Sequence, residues 1–410
     1  MERKKCVKQY VGVLLGMAVC LAVAVLWMPR AAAADTTGDW DGAKAAVIKA
    51  YQSYQTEVDV SQYQLNYKTE HDQLKEMMGA VVNETPYIFY AATSYTVSRN
   101  SSTNQIVKIG LGYTDTYKTK KGTVNKSKIK KTRTKLDAAV AEAFTQIDDS
   151  MTKLEKAMVF HDYLIRNTTY TEDGNNTNRL TEVGALLNHK ANCQGYSLAY
   201  AILLGKIGVP VRFVTSTEMN HMWNLIQIGG KWYHVDVTWD DPVDSVKNKD
   251  QYGVVKHKNF LCSSDRFKKT GHYGFDTTLA TDTKYDTKYW KSITSSFYYE
   301  DGQWIYMTKN GIYGRKKLAN GAKECLWNVT GNTLVQFNAT HYYFIAYNGL
   351  YLFDLDAGEA KLIWKVTEKY PSGDYQLVQI KYKKGYLYYR LLKDKAYTAG
   401  KLKVFTDGTV

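Results

Sequence analysis

Three residues in the middle of the chain are of types that act together in acyl transfer: Cys193, His221 and Asp236. Cys193 opens the run CQGYSLAYAILLGKIGVPVRFV. Apolar residues around Leu198 and Ile202 recur there at helical spacing, and Gly208 and Pro210 end the helix before a strand at Val211–Val214. Cys193 is therefore expected at or near a helix N-terminus, where unpaired backbone N–H groups and the helix dipole favour a thiolate. Taken alone, a cysteine before a helix is more often core packing than a nucleophile. Its weight depends on what the fold brings to it.

The run NHMWNLIQIGGKWYHVDVTWDDP, Asn220–Pro242, supplies the other two. Two alternating apolar stretches flank Gly229-Gly230, the pattern of a hairpin with a two-residue turn. Pairing Ile228 with Lys231 sets His221 opposite Thr238 and Asp236 opposite Trp223. All four side chains then share one face. His221 and Asp236 become diagonal neighbours, with Cβ atoms roughly 6–8 Å apart, within reach of a hydrogen bond. A slip of one residue would put them on opposite faces. The chemistry expected is nucleophilic attack by Cys193, proton transfer by His221, and orientation of the imidazole by Asp236. Backbone N–H groups at the helix start would stabilise the oxyanion. Gln194 is a second-rank candidate beside them. Trp223 and Trp239 could wall the cleft, although large aromatics there are more often core. His234 shares the face and is the fallback base. His161 and Asn224 are expected to brace the structure.

These residues need a scaffold, and the remainder of the chain is long enough to hold more than one. The 410 residues are 44% apolar and 23% charged, which excludes a disordered chain. Thirty-four tyrosines against five prolines point to half-buried β surface. The first 34 residues read as an export signal. A basic start precedes an apolar stretch from Val11 to Met28, and Ala31–Ala34 offers a small-residue cleavage site. A retained anchor is the competing reading, because 18 apolar residues nearly reach the ~20 a spanning helix needs. Cleavage would remove five basic residues and one acidic one, taking the net charge from +14 to +10. Three cysteines would remain, Cys193, Cys262 and Cys325. Pairing of the last two and two free thiols are both open.

Residues 35–135 read as an α+β region and 136–290 as helices followed by strands. Residues 291–410 read as an antiparallel, all-β repeat region of propeller-like meanders. There, Asn310-Gly311 and Asn348-Gly349 recur 38 positions apart between aromatic-rich strands. That region could bind glycans or prop up its neighbour. Lys118–Lys135 carries nine basic residues and no acidic one, arranged like an exposed hairpin around a glycine. With no aromatic stacking platform beside it, nucleic acid is not the expected partner. Anionic wall or surface polymers fit an exported chain better, and a merely solvated ribbon fits better still.

The segments NCQGYSLAY, MNHMWNLIQIGGKWYHVDVTWDDP and LEKAMVFHDYLIRNTTY resemble the transglutaminase-like superfamily, whose core is a circularly rearranged relative of papain-like enzymes. The resemblance covers residues 136–275 and is nearest to exported bacterial members. KNFLCSSDRFKKTGHYGFD is similar to the tail that follows their core, and NETPYIFYAATSY to the region before it. The resemblance implies a triad of Cys193, His221 and Asp236, in C-x-G-Y, H-x-W-N and V-D-x-T-W. It implies a peptidase, amidase or cross-linking transglutaminase acting on peptide or glutamine amides. The acidic calcium loops of animal transglutaminases have no counterpart, so neither metal nor cofactor is expected. The expectation is a secreted or cell-surface cysteine enzyme with an α+β core. The alternative is a catalytically idle adhesion protein on the same scaffold.

Overall fold

The computed structural model describes residues 38–244, 249–370 and 374–410. The expected export signal lies outside the described residues. Among those residues, no helix is long and apolar enough to cross a membrane.

Asp39 caps the first helix, α1 (Trp40–Gln52), its carboxylate accepting from the Gly42 N–H. With α2 (His71–Glu84) it packs beside a three-stranded antiparallel sheet of β1 (Glu57–Asp59), β2 (Ala91–Arg99) and β3 (Ile106–Tyr113), in the order β1-β3-β2. The basic stretch that follows departs from expectation. A short turn at Gly122 is closed by the Lys118–Val124 bridge and by the Thr119 N–H donating to the Thr123 carbonyl, and the hairpin goes no further. From Lys126 the chain is helical, as α3 (Lys126–Phe144), with Asn125 accepting from the Lys128 N–H as its cap. The lysines alternate with Ser, Thr and Ile as a strand would. The cap and the apolar spacing of Ile129, Leu136, Val140 and Ala143, all buried, decide for helix instead. This helix runs through position 135, the boundary drawn from sequence.

Thr152 and Glu155 form a capping box at the start of α4 (Lys153–Asn167). The short α5 (Glu182–Leu186) leads to α6 (Cys193–Lys206), in which eleven residues are buried. Apolar on every side, α6 is the central helix of the molecule and not a surface helix with a single stripe. Gly208, at φ +66°, turns the chain out of it. An antiparallel sheet packs against α6, built from β4 (Val211–Ser216), β5 (His221–Ile228), β6 (Lys231–Val235) and β7 (Phe260–Cys262), in the order β7-β6-β5-β4. Two further helices close the region, α7 (Val237–Asp240) and α8 (Ser264–Lys269).

The last third is three antiparallel meanders. They are β8 (Tyr298–Glu300), β9 (Gln303–Thr308), β10 (Gly311–Arg315) and β11 (Glu324–Trp327); β12 (Gly331–Gln336), β13 (His341–Ala346), β14 (Gly349–Asp354) and β15 (Glu359–Lys365); and β16 (Gln376–Lys383), β17 (Tyr386–Lys393) and β18 (Ala396–Lys403). No barrel closes. The sheets stack because their strands are apolar on both faces. In β13, Tyr342 and Phe344 join the cluster shared with the first sheet, while Tyr343 and Ile345 join that of the third. The turns sit one residue earlier than the Asn-Gly pairs suggest. Tyr347 and Asn348, at φ 49° and 58°, make the turn, and Gly349 already pairs with Ala346.

The stack is rooted in the central region. Trp304 and Tyr306 share the main core with α1 through α6. Glu155 on α4 accepts from both the Trp304 indole and the Leu318 N–H, each at 3.1 Å. At the far end, the Gln379 side chain accepts from the Tyr252 N–H, and Arg390 lies over the Tyr252 ring. Cys262 is wholly buried, its sulfur 3.0 Å from the Lys291 ammonium, whereas Cys325 is exposed. Both are free thiols, so the pairing left open above does not form.

Candidate active site

Cys193 is the first residue of α6. Asn192 caps the helix, its side chain accepting from the Gly195 N–H. Gly195 has a steric reason. A Cβ there would meet the carbonyl oxygens of Arg179 at 2.5 Å and Thr181 at 2.8 Å. The helix start is thus seated directly on the backbone of the 178–191 segment. One residue further, the Tyr196 hydroxyl donates to Asp241 and ties the helix to the turn after α7.

The hairpin takes the expected register, from Asn224 opposite Val235 to Ile228 opposite Lys231, around Gly229 and Gly230 at φ 60° and 79°. The pairing then stops. Asp236 leaves the strand as the N-cap of α7, and Thr238 lies in that helix instead of opposite His221. The Asp236 carboxylate still reaches the imidazole. His221 Nε2 donates to its Oδ2 at 2.7 Å, and the Trp239 N–H donates to its Oδ1 at 3.0 Å. Just ahead of His221, Asn220 holds φ 47° and ends the turn from β4.

Nε2 is engaged by Asp236, and Cys193 lies close enough to the His221 ring to act on it. Burial alone would push the imidazole down. The Asp236 charge, its hydrogen bond and the cysteine outweigh burial and raise it to about 10. Burial likewise opposes ionisation of Asp236, but the charge of His221 and donors from His221 and His272 hold its carboxyl well below the usual range. Imidazole and carboxylate meet directly, and Cys193, from another part of the chain, lies near enough to influence the ring.

The motif residues around the three serve this geometry. Asn224 donates to the Ser197 carbonyl and ties β5 to α6. Asp240 receives the backbone and side-chain N–H groups of Asn259 and bonds His161 Nε2. His161 continues to Asp162, which also holds His257. Burial opposes protonation of His161 too, but Asp162 and Asp240 raise it to about 9. This buried chain pins the far end of α7 and so fixes Asp236 at the near end. It accounts for His161 as a structural residue.

The second-rank candidates divide. Gln194 points to Asn83 of α2, its amide donating to the Asn83 side-chain oxygen at 3.2 Å. Trp223 is buried, its ring lying alongside His221 at 5.6 Å between centroids. His234 accepts from the Trp223 indole N–H at 3.0 Å and stacks on Phe267. Burial first, and then the charge of His272, push it down to about 3, so it stays neutral. Trp239 alone is open, 39% exposed, with its ring 5.6 Å from that of His221. Two neighbours were not singled out from sequence. His272 touches Asp236 directly. Tyr170 lies close enough to Cys193 and Asp236 for their charges to act on it, and its hydroxyl donates to Glu172. Both lie in segments that carry the family resemblance, but neither position has a periodicity that would single it out. Among the described residues, two imidazole–carboxylate groupings are compact enough to hold an ion, His221 with Asp236 and His272, and His161 with Asp162 and His257. In both, the same atoms are engaged in hydrogen bonds with one another.

Residues 138–237 match the family model of the transglutaminase-like superfamily, so the chain carries a transglutaminase-like domain. None of the curated proteins matches the chain. Solved structures that resemble it include a TGase, at 17% identity and TM-score 0.23, over 43% of this chain and 49% of that one. A candidate cysteine protease from Cytophaga hutchinsonii aligns at 13% identity and TM-score 0.22, over 35% of this chain and 61% of that one. A candidate conserved lipoprotein from Clostridium novyi NT aligns at 13% identity and TM-score 0.19, over 28% and 82%. The chain thus spans about half the length of the first of these.

Proposed function

We propose that this protein is an exported cysteine acyl-transfer enzyme acting on peptide or glutamine amides, with Cys193 as nucleophile, His221 as acid–base and Asp236 as orienter. The observation that carries the reading is the buried His221–Asp236 pair with Cys193 beside it, at the N-terminus of α6. The thiolate attacks the amide carbon, forming a C–S bond and a tetrahedral oxyanion. First-turn backbone N–H groups of α6 stabilise that oxyanion. The C–N bond then breaks as the imidazolium of His221 gives its proton to the departing amine. Water or a second amine attacks the thioester, His221 takes that proton, and the thiolate leaves. Hydrolysis is favoured over cross-linking.

Trp239 offers an exposed aromatic shelf for the acyl group beside His221. The exposed lysines of α3 suit anionic polymers of a cell surface. The competing reading, an idle adhesion module, needs none of the triad geometry.

The test incubates wild type and Cys193→Ala with a glutamine-containing peptide, with and without a labelled primary amine. Cysteine-dependent cleavage or deamidation supports a hydrolase. Amine incorporation supports a transglutaminase. Wild type and variant behaving alike over broad peptide pools would sink the enzymatic reading.

A further inference from the structure

His272 lies beyond the residues matched to the family model, in the segment after α8, yet it is built into the site. Its Nε2 is 2.9 Å from Asp236 Oδ2, the same oxygen that His221 Nε2 meets at 2.7 Å. A carboxylate oxygen only accepts, so His272 donates here. Nδ1 faces the Thr270 hydroxyl at 3.0 Å, and that hydroxyl is fixed by the Phe267 carbonyl at 2.7 Å. The ring is stacked on Phe267 at 3.6 Å between centroids and lies 4.0 Å from that of Trp239. The edge of the buried Trp223 meets it as well. His272 is itself buried. Position, tilt and both polar ends are thus determined by neighbours.

Among the described residues Asp236 has three donors: the Trp239 N–H on one oxygen, and two imidazoles on the other. One main-chain donor and His221 alone would leave the carboxylate free to pivot about the N–H contact, carrying the imidazole with it. We propose that His272 is a positioning residue that locks Asp236, and through it the His221 ring, in the orientation facing Cys193. The working unit is then Cys193, His221, Asp236 and His272, and it extends past the residues matched to the family model, 138–237, to the segment following α8. The proposal rests on the acyl-transfer reading for its purpose but not for its test. The charged and titratable groups around this ring are Asp236, His221 and His234, with Asp276 acting on His234.

The test compares wild type with His272→Phe, which keeps the stacked ring without donors, and His272→Gln, which can still donate to Asp236. Thr270→Val is a milder variant should His272→Phe not fold. Two readouts are taken on the full chain. The first is the low-field imidazole N–H resonance of His221 bonded to Asp236. It should be sharp in wild type, displaced or exchange-broadened in His272→Phe, and restored in His272→Gln. The second is the pH profile of Cys193 alkylation by iodoacetamide, which follows the thiolate–imidazolium pair. At about pH 6 the rate should fall about tenfold in His272→Phe and recover to within about twofold in His272→Gln, in line with the cost of a small misplacement of a catalytic group. A purely structural role would lower the melting temperature of His272→Phe and leave the resonance and the profile of the folded protein unmoved. That result overturns the proposal. If the resonance responds as expected while Cys193 alkylates like an ordinary thiol in every variant, His272 stands as the lock on Asp236 and the acyl-transfer reading falls.

Discussion

Gly195→Ala sets two known effects against each other, and the structure says which wins. Removing a helical glycine normally stabilises by up to about 1 kcal/mol through helix propensity. Here, however, the new Cβ would meet the Arg179 oxygen at 2.5 Å, the Ala191 Cβ at 2.8 Å and the Thr181 oxygen at 2.8 Å. Two of the three are backbone atoms and cannot swing away. Bringing them to ordinary contact needs a movement of roughly half an ångström or more in the helix start or in the 178–191 segment, and overpacking of this kind costs about 1–3 kcal/mol. The net expectation is a loss of about 0–2 kcal/mol in denaturant unfolding, small because the terms oppose. The reactive site should suffer more. Cys193, two residues away, moves with the helix relative to His221, and displacements near 1 Å can cost about 10²-fold. Alkylation of Cys193 at mildly acidic pH, and turnover once a substrate is found, should drop at least about tenfold while most of the protein remains folded. A variant more stable than wild type with full Cys193 reactivity would refute the reasoning, since propensity would then have outweighed the close approach.

Glu155→Ala removes the acceptor for the Trp304 indole and the Leu318 N–H together with half of a capping box, so stability should fall by about 2–4 kcal/mol, and limited proteolysis should cut first near the β-stack. His221, raised to about 10, contributes stability that is complete below its unfolded value near 6.5 and is lost as pH rises through 10. Denaturant unfolding over that window should therefore show a decline that His221→Ala abolishes. His234→Leu strands the Trp223 indole N–H and should cost about 1–3 kcal/mol while leaving Cys193 reactivity intact; lost reactivity in a folded variant would restore His234 as a base. Trp239→Ala should change stability by less than about 1 kcal/mol and raise KM more than it lowers kcat, as expected of a 39% exposed shelf.

Much of the site could be read from local pattern. Gly229-Gly230 between alternating strands fixes a register by turn chemistry, and register decides which side chains share a face; the observed pairs follow it. Gly208 and Pro210 after an apolar run end a helix for reasons internal to those residues. Asp236 shows the limit of such reading, because extending the ladder to it assumed the strand continued. Asp236 instead leaves the sheet to cap α7, whose far end is held by Asp240 through Asn259 and His161, partners found in other parts of the chain. The basic stretch misled for a related reason. Alternation over a few residues suggested a hairpin, whereas Asn125 and a buried stripe reaching to Ala143 made a helix.

What the sequence alone determined is therefore the set of chemical types, the hairpin register and the helix that begins at Cys193, because each depends on neighbours a few positions away. Tertiary structure alone decided that Gln194 turns to Asn83, that His234 serves Trp223, and that His272 comes to share an oxygen with His221. Those outcomes depend on which surfaces pack together after long excursions of the chain. No spacing rule connects position 272 to position 236; only the packing of α8 against β6 and β7 does.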